Sequence, residues 1–395
     1  MKRMLLATAA ALIATAASAQ DSANVGIILG FTGPLASITP HMASGGELAF
    51  KEVSDSGKLL DGLKLAPVRA DSTCIDAAAA TAAAERLVTS DKVVAILGAD
   101  CSGVTTAVAT NVAVPNGIVM ISPSATSPAL SSLADNGFFF RTAPSDARQG
   151  EVLAQVLKDR GIDEVAVTYT NNDYGKGLAE SFSKFFTEAG GKVATSQPHE
   201  DGKGDYSAEV AALAASGAPH LMVFGYVDQG GRGIIQAALD TGAFDSFIVG
   251  DGMYGESLIQ AIGPELDGKL IGTVPGSDTA GTATLVDLAT QAGFDGTSSY
   301  VAESYDAAAL IALAIQAAGS TEGAKVKEKV MEVANAPGEK INVGELTKGL
   351  ELIKEGKDID YVGATNVELI GGGEAAGSFR VFAIENGAIE TLGFK

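Results

Sequence analysis

Short runs of β-branched and aliphatic residues alternate along this chain with longer stretches whose apolar positions recur every three to four residues. Val25–Gly30, Leu63–Ala70, Val93–Gly98 and Gly117–Ser122 predict strands. Helices are predicted between them over Met42–Val53, from an Asp76 cap to Val88, and from Ser102 onward. After Phe138–Arg141 the alternation begins again. Strands are predicted at Val165–Thr170, Lys192–Thr195, His220–Tyr226 and Phe247–Gly250, with helices at Ser145–Arg160, Tyr174–Ala189, Tyr206–Ala215 and Gly231–Leu239. The last third offers helices over Ser299–Ala318, Ala324–Ala334 and Val343–Glu355, then a hairpin, Phe379–Phe394, turned at Asn386-Gly387. Strands that alternate with helices in this way suit a parallel sheet covered by helices on both faces. The fold class is therefore α/β, with two doubly wound Rossmann-like units in succession.

A chain of 395 residues exceeds what one core usually serves, which agrees with two units. Lys2 and Arg3, a short apolar stretch from Met4 to Ala16 and the small residues Ala17-Ser18-Ala19 predict a cleavable secretory signal over residues 1–19. No cysteine follows it, so no lipid anchor is expected. The apolar run Ala307–Ala318 is too short to span a bilayer and reads as a buried helix. Acidic residues outnumber basic ones 48 to 27, a net charge of −21, which disfavours nucleic acid and anionic lipid as partners. In an oxidising compartment the two cysteines, Cys74 and Cys101, are most simply a disulfide. The rival, a metal site, finds no support in the spacing of His41, His199 and His220.

Ligands of doubly wound sheets sit at the carboxyl ends of strands, so the loops there carry the candidate chemistry. Ala99–Ser102 and Ser122–Thr126 each follow a strand, and each is expected to open a helix and offer hydroxyls and free N–H groups to a carboxylate. Ordinary N-capping accounts for either loop alone. In the second unit, Asn171–Gly175, Gly225–Gln229 and Gly250–Gly252 are the corresponding loops. Asp251 suits an ammonium acceptor, although Asp-Gly is also a turn signal. Asp358 and Asp360 read as a solvated loop. Nucleophile elbow, phosphate-binding, dinucleotide and zinc-helix motifs are missing, so neither an enzyme nor a cofactor is expected.

These loops resemble the branched-chain amino-acid-binding (Leu/Ile/Val-binding-protein-like) family of ABC-transporter substrate-binding proteins. The matching segments are Gly30–Ala36 (GFTGPLA), Ala70–Cys74 (ADSTC), Gly98–Ser102 (GADCS), Ile121–Pro128 (ISPSATSP), Phe140–Thr142 (FRT), Asp173–Ala179 (DYGKGLA) and Gly250–Gly252 (GDG). They occur in the family's order from residue 30 to mid-chain; the last third is similar only in its element pattern. The resemblance implies a type I periplasmic-binding fold, in which two lobes joined by three crossovers close on a ligand. Lobe one would be residues 24–143 plus 275–372, and lobe two residues 144–274 plus 373–395. It also implies that Cys74 pairs with Cys101. Ser102, Ser124, Ala125 and Thr126 would hold a ligand carboxylate, Asp251 its ammonium group, and Tyr174 and Tyr226 would cover it. The implied setting is the periplasm of a Gram-negative bacterium, with a monomer delivering an amino acid to a membrane permease. Alternatives are a sensor that presents its closed form to a receptor, or a binder of an amide, urea or aromatic acid. The chain departs from leucine-type members at Tyr226-Val227, where those often have paired aromatics, and at Ser37–Pro40, which lacks an aromatic wall.

Overall fold

The computed structural model describes residues 22–395; the signal predicted over residues 1–19 lies outside the described residues. The first sheet is built from β1 (Ser22–Leu29), β2 (Lys64–Asp71), β3 (Ala95–Gly98), β4 (Val119–Ser122) and β5 (Phe139–Pro144), in the parallel order β2-β1-β3-β4-β5. The second repeats the plan with β6 (Glu164–Thr170), β7 (Lys192–His199), β8 (His220–Phe224), β9 (Ser246–Val249) and β10 (Leu270–Pro275), in the order β7-β6-β8-β9-β10. In each sheet the order reverses beside its first strand. That reversal opens a crevice at the strand ends where two neighbouring loops turn opposite ways.

Helices cover both sheets. In chain order they are α1 (Thr39–Ser56), α2 (Ala77–Thr89), α3 (Ser102–Val108), α4 (Asp146–Asp159), α5 (Asp173–Glu188), α6 (Ser207–Ala214) and α7 (Gly230–Thr241), then α8 (Glu256–Ile262), α9 (Ala280–Ala292), α10 (Val301–Ala318), α11 (Gly323–Ala334) and α12 (Leu346–Lys354). Helix α1 starts earlier than its apolar pattern because Pro40 stands in its first turn, where a missing N–H costs nothing. Asp76 caps α2 by accepting from the N–H groups of Ala78 and Ala79 at 2.9 and 3.0 Å. Helix α10 is long and apolar enough to cross a membrane, but most of it is buried against α1, α11, α12 and the first sheet.

The chain crosses between lobes three times: after Pro144 into α4, after Pro275 toward α9, and between Ala375 and Phe379. Four strands lie beyond the central pattern that the sequence predicts. The two-residue strands β13 (Leu369–Ile370) and β14 (Glu374–Ala375) extend the first sheet. Strands β11 (Glu339–Asn342) and β12 (Ile359–Gly363) form a small sheet of their own. Asp360 therefore lies buried in a strand, not in a solvated loop. Strands β5 and β10 are also absent from the sequence reading; in β10, Gly272 breaks the apolar run. A side chain there would lie 2.5 Å from Val249 and 2.6 Å from Phe382, so the glycine admits its neighbours. The hairpin β15 (Phe379–Glu385) and β16 (Ala388–Phe394) completes the second sheet. Asn386 and Gly387, at φ 54° and 72°, make the tight turn their sequence predicted.

Candidate ligand-binding site

The loops at the two switch points face each other across the cleft. On the first lobe, Cys74 and Cys101 form a disulfide with an S–S distance of 2.04 Å, tying the loop after β2 to the loop after β3. The loops after β3 and β4 are laced together. Ser122 Oγ donates to Ala99 O at 2.5 Å, Ser124 Oγ donates to Asp100 O at 3.1 Å, and Ser102 Oγ accepts from the Ser127 N–H at 3.1 Å. Behind them the buried guanidinium of Arg141 donates to the carbonyls of Ala125 and Ser127 at 3.1 and 2.9 Å. Helix α3 starts at Ser102, as expected. The second loop differs from its expectation: it leads into a short 3-10 turn, Pro128–Ser132, capped by Ser127, not into an α-helix opened by Ser124. Two prolines, Pro123 and Pro128, remove N–H donors there.

On the second lobe Asp251 follows β9 and is buried. Tyr174 donates to its Oδ1 at 2.8 Å, and Tyr300 donates to Oδ2. Tyr174 Oη also accepts from the Gly252 N–H at 3.1 Å, and its ring stacks on Tyr226 with centroids 5.3 Å apart. The glycines flanking Asp251 have a purpose beyond turning. A Cβ at either Gly250 or Gly252 would lie 3.0 Å from the Tyr174 hydroxyl, and at Gly252 also 2.5 Å from the Gly225 carbonyl. Asn172 caps α5 by accepting from Gly175 at 3.1 Å, and its amide donates to Tyr226 Oη at 3.2 Å.

Two further residues near Asp251 escaped sequence reasoning: Tyr300, which borders the cavity described below, and Asp146, which does not. Tyr300 stands in the left-handed region (φ 62°) just before α10, which aims its ring back at Asp251. Asp146, in the first turn of α4, is fully buried, and neither carboxylate oxygen has a hydrogen-bond partner. Burial, and then the neighbouring charge of Asp251, push its carboxyl well above the ordinary range, against the lowering effects of the nearby Thr126 hydroxyl and Arg141 guanidinium. Asp251 is raised as well, chiefly by burial, against the lowering effect of its tyrosine partners. Thr126 Oγ1 is buried without a partner too. Ser145-Asp146 follows a third strand end in the first sheet, a pattern that marks Asp146 once β5 is recognised.

Ser102, Ser124, Tyr174, Tyr226 and Asp251 border one small cavity of about 20 Å³, together with Leu35, Ile38, Asp100, Cys101, Gly252 and Tyr300. Ala125 and Thr126 are wholly buried and do not border the free space. The rim is bridged: Asp228 of lobe two accepts from the Ser37 N–H at 2.8 Å and donates its own N–H to Pro34 O at 3.2 Å.

The signature of the periplasmic binding protein family matches residues 22–340. This chain belongs to that family. A Leu/Ile/Val-binding protein homolog of Brucella melitensis is 34% identical over 328 residues, covering 82% of this chain and 86% of the relative. A leucine-, isoleucine-, valine-, threonine- and alanine-binding protein of Pseudomonas aeruginosa is 29% identical over 332 residues, with coverage of 83% and 87%. Among solved structures, a leucine-binding protein of Thermotoga maritima superposes with a TM-score of 0.79 at 23% identity, covering 94% of this chain and 98% of the other. A solute-binding protein of R. palustris bound to 4-hydroxybenzoate reaches 0.76 at 18% identity, covering 95% and 97%. The fold is the two-lobed, type I periplasmic-binding architecture that the loops resembled.

Proposed function

We propose that this protein is the periplasmic substrate-binding component of an ABC importer, a non-enzymatic monomer that closes on an amino acid and delivers it to a membrane permease. The observation that carries the reading is the acidic pole of the cavity. Asp251 is buried between two tyrosine hydroxyls, with the unpartnered Asp146 close enough to perturb it. Burial raises both carboxyls, and Arg141 near Asp146 and the tyrosine hydroxyls on Asp251 offset this only in part, so a ligand ammonium adds the missing compensation. The N–H groups of the first turn of α3 and the Ser102 hydroxyl, which accepts from Ser127 and keeps its own O–H to donate, supply donors for a carboxylate on lobe one. Hinge movement at the three crossovers opens and closes the rim contacts of Asp228. The names of the Brucella and Pseudomonas relatives agree with this ligand class. An aromatic acid, as in the R. palustris neighbour, supplies no cation to add to the partial compensation of Asp146 and Asp251.

The test is calorimetry and thermal shift on protein unfolded and refolded to remove carried-over ligand, with amino acids set against their deaminated acids. Amino acids are expected to stabilise the fold while deaminated acids do not, and Asp251→Asn is expected to weaken binding about 100-fold. Stabilisation by deaminated acids alone would retire the amino-acid reading.

A further inference from the structure

The cavity is bordered by a second carboxylate, that of Asp100, which neither the family signature nor the zwitterion reading explains. Asp100 borders the free space from lobe one, as do Leu35, Ile38 and Cys101, and is itself 1% exposed. Its Oδ2 accepts from the Gly30 N–H at 2.8 Å and its Oδ1 from Ser72 Oγ at 2.7 Å. Gly30 has no side chain because a Cβ there would lie 2.8 Å from Oδ2, so the strand end is shaped around this carboxylate. Each oxygen thus has one direct donor at hydrogen-bond distance, the N–H groups of Asp100 and Cys101 adding support, and burial still raises the carboxyl above its ordinary range; an ionised carboxylate accepts about four hydrogen bonds in all. No lysine or arginine bonds to it among the described residues. Its charge is felt by Tyr226, another wall of the same cavity, whose hydroxyl is pushed up by burial and then by neighbouring carboxylates, Asp100 among them.

A purely aliphatic ligand side chain packed here would strip the remaining water from Asp100 and return no hydrogen bond. Leu35 and Ile38 give the pocket apolar walls, so the fitting group is short and carries a donor on an otherwise apolar stem. Building on the amino-acid reading above, we propose that Asp100 is the specificity-determining residue of the side-chain pocket and selects amino acids whose side chain ends in a hydrogen-bond donor, a hydroxyl or amide N–H, over branched aliphatic ones. Asp251 and Asp146 then read the head group common to all amino acids, and Asp100 reads the side chain.

The experiment compares ligands of matched shape on refolded protein by calorimetry: threonine against valine, and asparagine against leucine. Wild-type protein is expected to favour the donor-bearing member of each pair by about tenfold or more. Asp100→Leu should abolish or reverse that preference. Because Asp100 also ties Gly30 and Ser72, the isosteric Asp100→Asn serves as a second variant; its threonine-to-valine ratio should fall while the thermal midpoint stays close to wild type. Equal or tighter binding of valine and leucine by wild type overturns the assignment and leaves the amino-acid reading standing. A donor preference that survives both substitutions also overturns it. Failure of every amino acid to bind, with the refolded protein intact, overturns both readings.

Discussion

At the residue scale the molecule is marked by buried acids, and they separate into two kinds. Asp306 is buried yet satisfied: it accepts from Tyr361 Oη at 2.7 Å, from the Ala364 and Thr365 N–H groups at 2.8 and 2.9 Å, and from Thr365 Oγ1 at 2.7 Å. Its role is to hold the loop after β12 on α10. Asp146 has no direct hydrogen-bond partner and Asp251 has two tyrosine hydroxyls, and both carboxyls are raised by burial, which sets this pair apart from Asp306. Glu303 is a third case. It lies in the first turn of α10 where the crossover segments converge, and its carboxyl is pushed up to about 8 by burial, with Asp306 raising it further and Arg380 opposing. In the unfolded chain the same group ionises near 4.5, so its contribution to stability is fully present below that pH. It is lost as pH rises toward 8, at up to about 1.4 kcal/mol per pH unit. Asp306, raised to about 6, acts in the same direction over a lower window. Urea midpoints measured from pH 5 to 8 should therefore fall, and Glu303→Gln should flatten most of the decline above pH 6.

At the element scale, function depends on loops held by something other than their own backbone. The disulfide between Cys74 and Cys101 closes a loop of sequence separation 27 and joins two strand-end segments that border the cavity. Closing a loop of that size contributes about 3 kcal/mol on the chain-entropy account. Replacing both cysteines by alanine should lower the unfolding free energy by about that amount, read by chemical denaturation. It should also weaken ligand binding, since Asp100 and Ser102 flank Cys101. A stability loss without any change in affinity would assign the bond to the fold alone. Arg141 anchors the neighbouring loop in the same way from behind, with Glu374 and Ser131 as its other partners. That pairing draws β14 onto β5 and so sets where the third crossover leaves the first lobe.

At the scale of the whole molecule, closure is a balance between ligand contacts and direct lobe-to-lobe contacts. Asp228 concentrates the latter: besides Ser37 and Pro34 across the rim, it accepts from Ser257 Oγ at 2.8 Å, and Ser257 lies 3.2 Å from Ser37 Oγ. None of these groups borders the cavity. Asp228→Ala should therefore act only on the open–closed equilibrium. Affinity is expected to fall roughly fivefold, about 1 kcal/mol, through faster dissociation, with the ranking of ligands unchanged. Stopped-flow dissociation and the ligand-induced change in small-angle scattering check this. A changed ranking would place Asp228 in the site itself.

The sequence by itself determined the class of the fold, the approximate positions of most central strands and which loops lie at their carboxyl ends. Local periodicity and the rule that parallel strands present ligands at their carboxyl ends require no long-range information. It also marked Asp251, Tyr174 and the pair Cys74 and Cys101 through the family pattern. It missed β10, whose glycine makes sense only beside Phe382, and β13 and β14, which are too short to carry a period. Asp146 and Tyr300 escaped for a related reason. One is an ordinary helix-start acid until burial removes its partners, and the other precedes a helix whose start the apolar pattern placed too early, at Ser299 instead of Val301. Only the tertiary structure decided which acids share a cavity, because burial and compensation depend on groups far apart in the chain.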